Sequence, residues 1–157
     1  MSYQKRPEYV AYSDGSCDNL NSQRPGGAAF LIMDTEGKII AKKSKGFMNT
    51  SNNRMELTAI IGVVHSVPNN SFVTINTDSE YCIKALLSRN PQANLDLIKQ
   101  YYSIKNQKNI TVFLHWVKGH DGNQYNEECD KMAREEYAKM ALNTIGRVTR
   151  PSKCKIS

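Results

Sequence analysis

Close-spaced cysteines, long apolar runs and flexible linkers are all missing from this 157-residue sequence. Its four cysteines, Cys17, Cys82, Cys129 and Cys154, are scattered. That excludes the paired spacing of zinc ribbons and thioredoxin-like redox motifs, and points to reduced thiols in a cytoplasmic setting. The polar opening Met1-Ser2-Tyr3-Gln4-Lys5-Arg6-Pro7 contains no secretory apolar segment, and no later run is long enough to cross a bilayer. No stretch rich in Pro, Gly or Ser divides the chain, and no segment repeats. One domain over residues 1–157 is therefore expected, with a core at about 8–141 and a basic tail at 142–157. Hydrophobic residues at 39% and charged residues at 23% suit an ordinary folded chain rather than a disordered one.

Acids are also in deficit, and unevenly so. The 21 Lys and Arg against 15 Asp and Glu leave a formal charge of +6, which suits a polyanionic partner. Residues 37–55 contain no acid but carry Lys38, Lys42, Lys43, Lys45 and Arg54. Residues 97–120 carry Lys99, Lys105, Lys108 and Lys118, and residues 137–157 carry Lys139, Arg147, Arg150, Lys153 and Lys155, again with no acid. Any one stretch reads as a solvated face. The three together point to a phosphate-binding surface.

What is present is a change of period along the chain. Residues 8–13 read as a strand running into an Asp14-Gly15 turn, and residues 27–34 as a second strand. Thr35-Glu36-Gly37-Lys38 is a hairpin turn leading to a third strand at 39–45. Residues 51–67 switch to helical spacing, with Ser51, Asn52 or Asn53 as candidate caps and Pro68 beyond the end. A buried strand is expected at 72–77, helices at 79–88 and 93–106, a fifth strand at 110–116 and a last helix at 124–140. A hairpin meander followed by alternating helices and strands gives an α/β fold with a five-stranded mixed sheet flanked by helices. The 51–67 crossover makes the 72–77 strand parallel to the first, so their C-terminal ends share one edge.

At that edge the carboxylates stand out. Asp14 and Asp78 each follow a predicted inner strand, where a turn and a helix cap are the ordinary readings. Glu56 is harder to dismiss, because it shares a helical stripe with Ile60, Val63 and Val67. Asp130 likewise lines up with Ala133, Tyr137 and Ala141, and no basic residue lies on either stripe. An unpaired buried carboxylate costs several kcal/mol, so it needs a proton or a cation. All-oxygen donors suit Mg²⁺ or Mn²⁺ and disfavour zinc or copper. About four carboxylates can hold two ions, the arrangement used for in-line phosphodiester displacement.

Three segments resemble type 1 ribonuclease H: Ser13-Asp14-Gly15-Ser16-Cys17 with Pro25-Gly26-Gly27-Ala28-Ala29, then Thr50-Ser51-Asn52-Asn53-Arg54-Met55-Glu56-Leu57, then Trp116-Val117-Lys118-Gly119-His120 leading to Asn126-Glu127-Glu128-Cys129-Asp130. Thr77-Asp78-Ser79 lies between them in the matching order, and the likeness covers nearly the whole chain. It implies a ribonuclease H-like fold and hydrolysis of the RNA strand of RNA–DNA hybrids, leaving 5′-phosphate and 3′-hydroxyl ends. It also implies that Asp14 bridges two Mg²⁺ ions (with Mn²⁺ as a substitute), that Glu56 and Asp78 complete one site, and that Asp130 holds the second ion. His120, between Gly119 and Gly122, would assist proton transfer or product release. The 2′-hydroxyl readers would be Glu56, Asn52, the backbone near Cys17 and the residue two after Asp78, while Ser51 and Asn53 would follow the DNA strand.

Departures qualify the likeness. The residue two after Asp78, often Gln in the family, is Glu80, which cannot donate a hydrogen bond when ionised. Asn49 replaces an Arg often found before the Thr-Ser pair. The short Arg89-Asn90-Pro91-Gln92 link leaves little room for the basic, Trp-rich protrusion of many bacterial relatives, and Trp116 is the only tryptophan. Weaker hybrid affinity is expected, with more dependence on residues 38–45 or the tail. The chain is expected to act as a monomer without an obligate protein partner. Alternatives are a DNA-cutting nuclease of the same fold class, a domain from a reverse transcriptase, and a non-catalytic binding relic. Loss of a carboxylate would mark the last, and all four are present.

Overall fold

A computed structural model describes residues 5–149, with side chains to residue 143. Five strands, β1 (Glu8–Cys17), β2 (Gly26–Met33), β3 (Ile39–Phe47), β4 (Phe72–Thr77) and β5 (Thr111–Trp116), form one mixed sheet ordered β3-β2-β1-β4-β5. β1, β2 and β3 pair antiparallel, whereas β1–β4 and β4–β5 pair parallel. Four helices accompany it: α1 (Asn52–Ser66), α2 (Glu80–Leu87), α3 (Leu95–Gln107) and α4 (Gln124–Thr149). The expected α/β sheet and parallel crossover are therefore present. None of the described helices is long and apolar enough to cross a membrane.

Alternation along β2 explains the layering, because every residue of that strand is buried. Phe30 and Ile32 pack with Leu57, Ile60, Val63, Val64, Val73, Ile75 and Leu86 on the α1 side. Ala29, Leu31 and Met33 pack with Cys129 and Ala133 on the α4 side. Each fully buried Leu, Ile or Val contributes about 1.5–3 kcal/mol. α1 thus sits in the larger core on the sheet's inner strands, so its first turn is delivered to the sheet edge.

The elements differ from their sequence expectations mainly at their ends. β1 does not turn at Asp14-Gly15 but runs on to Cys17, because Gly26–Ala29 supplies an antiparallel partner, pairing Asp14 with Ala29. The last helix does not stop at Met140 but continues to Thr149, so the expected tail is helical over 142–149; residues 150–157, with Arg150, Lys153, Cys154 and Lys155, lie outside the described residues. Ser51, rather than Asn52 or Asn53, caps α1 by accepting the Arg54 N–H at 3.2 Å. The short link between α2 and α3 is as expected.

Candidate active site

Asp14 and Asp78 reach the same level because β1 and β4 are in parallel register to Tyr12↔Asn76, and each acid lies two residues further on. Glu56 joins them through a backbone contact. A Cβ on Gly15 would lie 2.3 Å from the Met55 carbonyl carbon and 2.4 Å from the Glu56 nitrogen, so only glycine lets α1 press this closely on β1. One carboxylate oxygen from each of Asp14, Glu56 and Asp78 then falls within 4.8 Å of the others.

Asp14 is 4% exposed, and its Oδ1 accepts the Gly15 N–H at 2.9 Å. Burial, and after it the charge of Asp78, pushes the Asp14 carboxyl up to about 8, with Asp130 adding to the rise and the hydrogen bonds from Glu56 and Gly15 opposing it. Glu56 is driven well above the carboxylate range, first by burial and then by the charges of Asp14 and Asp78. Its Oε1 is buried with no hydrogen-bond partner. A buried oxygen without a donor, inside a cluster of like charges, calls for a cation. The donors are carboxylates alone, which fits a hard divalent ion such as Mg²⁺ or Mn²⁺.

Asp130 is close enough for its charge to act on Asp14 but is outside the three-carboxylate cluster. Its Oδ2 accepts from Arg134 Nε at 3.1 Å and Nη2 at 2.7 Å. Asp130 therefore has a basic partner, although none lies on its apolar stripe. Arg134 is off the apolar stripe, one helical turn on, and the i,i+4 rule was the signal that identifies it.

The remaining expected residues lie on or beside the elements that carry the cluster, or on the loop after β5. Cys17 ends β1, its Sγ 3.6 Å from the Thr50 carbonyl oxygen at the start of α1, and burial raises its thiol pKa. Asn52 and Asn53 are exposed on the first turn of α1, with half-buried Ser51 as its cap. Glu80 is exposed at the first position of α2, where the helix N-terminus favours a negative charge. His120 is exposed in the loop after β5 with φ of 57°. The loop is tethered at its root, where the Val117 N–H donates to the Thr77 oxygen at 2.9 Å and Trp116 Nε1 to the Asp78 oxygen at 3.3 Å. Gly119 packs directly on the site, since a Cβ would stand 2.7 Å from Asp78 Oδ2 and displace that carboxylate. Sequence reasoning overlooked Gly15 and Gly119 as site-building residues, because their role is to be absent from space that backbone or carboxylate occupies.

Part of the expected basic surface turns out to be structural. Arg54 is held by Asp96 at 2.7 and 3.0 Å and by Asn94 at 3.2 Å, tying α1 to α3. That partner holds the Asp96 carboxyl down at about 2. Lys42 pairs with Glu128 at 2.7 Å, and Lys108 donates to the last carbonyls of α1, His65 and Val67. His115 Nδ1 is 2.8 Å from Asn76 Oδ1, a side-chain contact between β5 and β4.

Comparison with known proteins identifies the family. The RNase H family matches residues 6–138. A ribonuclease H of Buchnera aphidicola subsp. Baizongia pistaciae is 37% identical over 149 residues, covering 86% of this chain and 94% of that one. One from Campylobacter curvus is 35% identical, covering 82% and 91%. The crystal structure of LC9-RNase H1, a type 1 RNase H with the type 2 active-site motif, matches in fold with a TM-score of 0.73 and 24% identity, over 88% of this chain and 75% of that chain. With its sheet order, its strand-end carboxylates and relatives of this similarity along nearly its full length, the chain belongs to the ribonuclease H family of nucleases.

Proposed function

We propose that the protein is an endoribonuclease that hydrolyses the RNA strand of RNA–DNA hybrids at the Asp14–Glu56–Asp78 cluster, leaving 5′-phosphate and 3′-hydroxyl ends. The observation that carries this reading is the orphaned Glu56 Oε1, buried beside two further carboxylates that are in no ion pair among the described residues. Asp14, Glu56 and Asp78 would hold the divalent ions, with Asp130 joining at a second position once released from Arg134. Two Mg²⁺ ions bound there would lower the pKa of an attacking water and offset the charge gathering on the phosphorane-like transition state and the leaving 3′ oxygen.

The chain's own groups then divide the remaining work. Asp14, pinned by the Gly15 N–H, fixes the cluster to the end of β1. Glu56, Asn52 and the backbone at Cys17 face the 2′-hydroxyl, the group that separates RNA from DNA. Ser51 and Asn53 follow the DNA strand, using the positive end of α1 for phosphate. Glu80 accepts but does not donate when ionised, so it favours contacts from base amino groups. His120, one residue beyond the glycine packed on Asp78, moves a proton to the leaving oxygen or helps the product depart. The chain does this as a monomer.

Incubating the protein in Mg²⁺ with labelled RNA–DNA hybrid, single-stranded RNA, double-stranded RNA and double-stranded DNA tests the proposal, with Asp14→Asn as control. Cleavage confined to the RNA of the hybrid, and lost in the variant, is the expected result. Hybrid binding without cleavage in Mg²⁺ or Mn²⁺ would favour the binding-relic reading, and cleavage of the DNA duplex would favour the DNA nuclease.

A further inference from the structure

On the α1 side of the sheet, the edge strand β3 is not fully covered by helix. A cleft of about 680 Å³ lies there between β3, α1 and α3. Ala28 and Phe30 form its floor, with Gly62 of α1 so close to Phe30 that a Cβ would stand 2.6 Å from the ring. One wall is β3. Lys42 and Ser44 point to α4, where they meet Glu128 and Glu136, so the alternate residues Lys43, Lys45 and Phe47 face the cleft. Leu97, Gln100 and Ile104 line the other wall from one face of α3, and Thr58 and His65 run along α1.

The chemistry of the lining is one-sided. None of the residues lining the cleft is acidic, while Lys43, Lys45, Arg54 and His65 all do so. Arg54 is taken by Asp96, but among the described residues neither Lys43 nor Lys45 is in an ion pair. Lys45 Nζ lies 5.4 Å from the centre of the Phe47 ring, so a cation and an aromatic face are presented together. Lysines along a groove with an adjacent aromatic platform are the combination that binds single-stranded nucleic acid. The cleft follows α1 from Arg54 to Ser66, roughly 18 Å at the helical rise, which is longer than one nucleotide needs. It also begins at Asn49 and Thr50, and the Thr50 carbonyl is already in contact with Cys17. The cleft is therefore continuous with the surface assigned to the hybrid.

We propose that this cleft is a docking groove for an unpaired nucleic-acid strand that continues from the hybrid, so that the protein favours hybrids bordered by single strand over blunt ones. Lys43 and Lys45 contact successive phosphates, Phe47 offers a stacking surface, and Gln100 and Thr58 supply polar contacts on the facing helices. The inference rests on the hybrid-cleaving reading for its biological sense, but binding to the groove can be measured without it.

The test compares kcat/KM for a short blunt hybrid with that for the same hybrid carrying an unpaired oligothymidylate or oligouridylate overhang at either end. Wild type and K43E/K45E are both measured, with K38E, outside the cleft, as a charge control. Each protein is compared with its own blunt-hybrid value, and the overhang at one end is expected to lower KM relative to blunt for wild type and the K38E control but not for K43E/K45E. Because each lost contact to a single strand removes about 0.7 from the slope of log K against log salt, two lysines account for about 1.4. The wild-type overhang advantage should thus shrink about 7-fold from roughly 50 to 200 mM salt. In metal-free protein, free oligothymidylate should shift backbone amide resonances at Lys43, Lys45, Phe47, His65 and Gln100. No overhang advantage together with no such shifts overturns the proposal, as does an advantage that K43E/K45E retains. Shifts produced equally by a mononucleotide, with no effect of the overhang, replace it with a small-nucleotide site. If the blunt hybrid is not cut by wild type, the proposed function fails, and the resonance shifts alone decide the groove.

Discussion

Gly15→Ala probes how the site is assembled without touching a carboxylate. The added Cβ would lie 2.3 Å from the Met55 carbonyl carbon and 2.4 Å from the Glu56 nitrogen, where ordinary contact begins at 3.4 Å. Both opposing atoms are backbone, so no rotamer change relieves the clash, and α1 must retreat from β1 by about 1 Å. Overpacking of this kind costs about 1–3 kcal/mol. At about 2–4 °C per kcal/mol for a chain this long, the melting temperature falls by roughly 2–12 °C. Glu56 retreats with the helix, and a misplacement of about 1 Å in a catalytic constellation costs on the order of 100-fold in rate. Gly37→Ala is the matched control: its φ of 85° makes alanine strained, yet nothing lies within 4 Å of the new Cβ. It should lose about 1–2 kcal/mol of stability and keep its kcat on the hybrid. A Gly15→Ala protein with wild-type kcat, or with a loss no larger than that of Gly37→Ala, refutes the reasoning.

Other consequences follow from the same carboxylates. In metal-free protein the folded Asp14 keeps its proton to about pH 8, while the unfolded chain releases it near the ordinary 3.8. Between those values the native state holds more protons, so stability falls as pH rises, by at most about 1.4 kcal/mol per pH unit for this group. Melting curves in chelator should show that decline, Asp14→Asn should flatten it, and millimolar Mg²⁺ should restore the loss at pH 8; a wild-type curve no steeper than that of Asp14→Asn contradicts it. Arg134→Gln frees Asp130 from a pair whose arginine is 56% exposed and worth about 1 kcal/mol or less, so the Mg²⁺ midpoint for thermal stabilisation should fall by up to about 5-fold. An unchanged midpoint would mean that Arg134 does not compete for that carboxylate. Gly119→Ala should push Asp78 aside and reduce kcat more than Gly122→Ala, whose new Cβ meets nothing; equal kcat values would detach the His120 loop from the site.

The five-stranded sheet and the parallel crossover were legible because the hydrophobic period changes cleanly from two to 3.6 at Ser51, and because β2 and β4 are apolar enough to be inner strands. Glu56 was legible as an acid on a stripe whose other members, Ile60, Val63 and Val67, are fully buried. Asp14 in mid-strand was not, since Asp-Gly is ordinarily a turn and only the distant Gly26–Ala29 pairing keeps it extended. The extension of α4 to Thr149 was missed although Leu142, Ile145 and Val148 continue a three-residue apolar spacing, because the basic character of the segment and Gly146 read as a tail. The fate of Arg54 depends on Asp96, 42 residues away, which no local pattern encodes. Likewise, the separation of wall-lining Lys43 and Lys45 from α4-facing Lys42 appears only once β3 has a register.

Calorimetric titration of Mg²⁺ into the metal-free protein at pH 7, in buffers of differing ionisation enthalpy, tests most directly whether the cluster is a divalent-cation site. Asp14 holds a proton there that a cation must displace, and burial beside Asp14 and Asp78 biases Glu56 in the same direction. Saturable binding with about one or more protons released per chain is expected, and Asp14→Asn should lose both the affinity and at least one of those protons. Absence of binding, or binding whose heat is the same in every buffer, would contradict the assignment of Asp14, Glu56 and Asp78 as one metal centre.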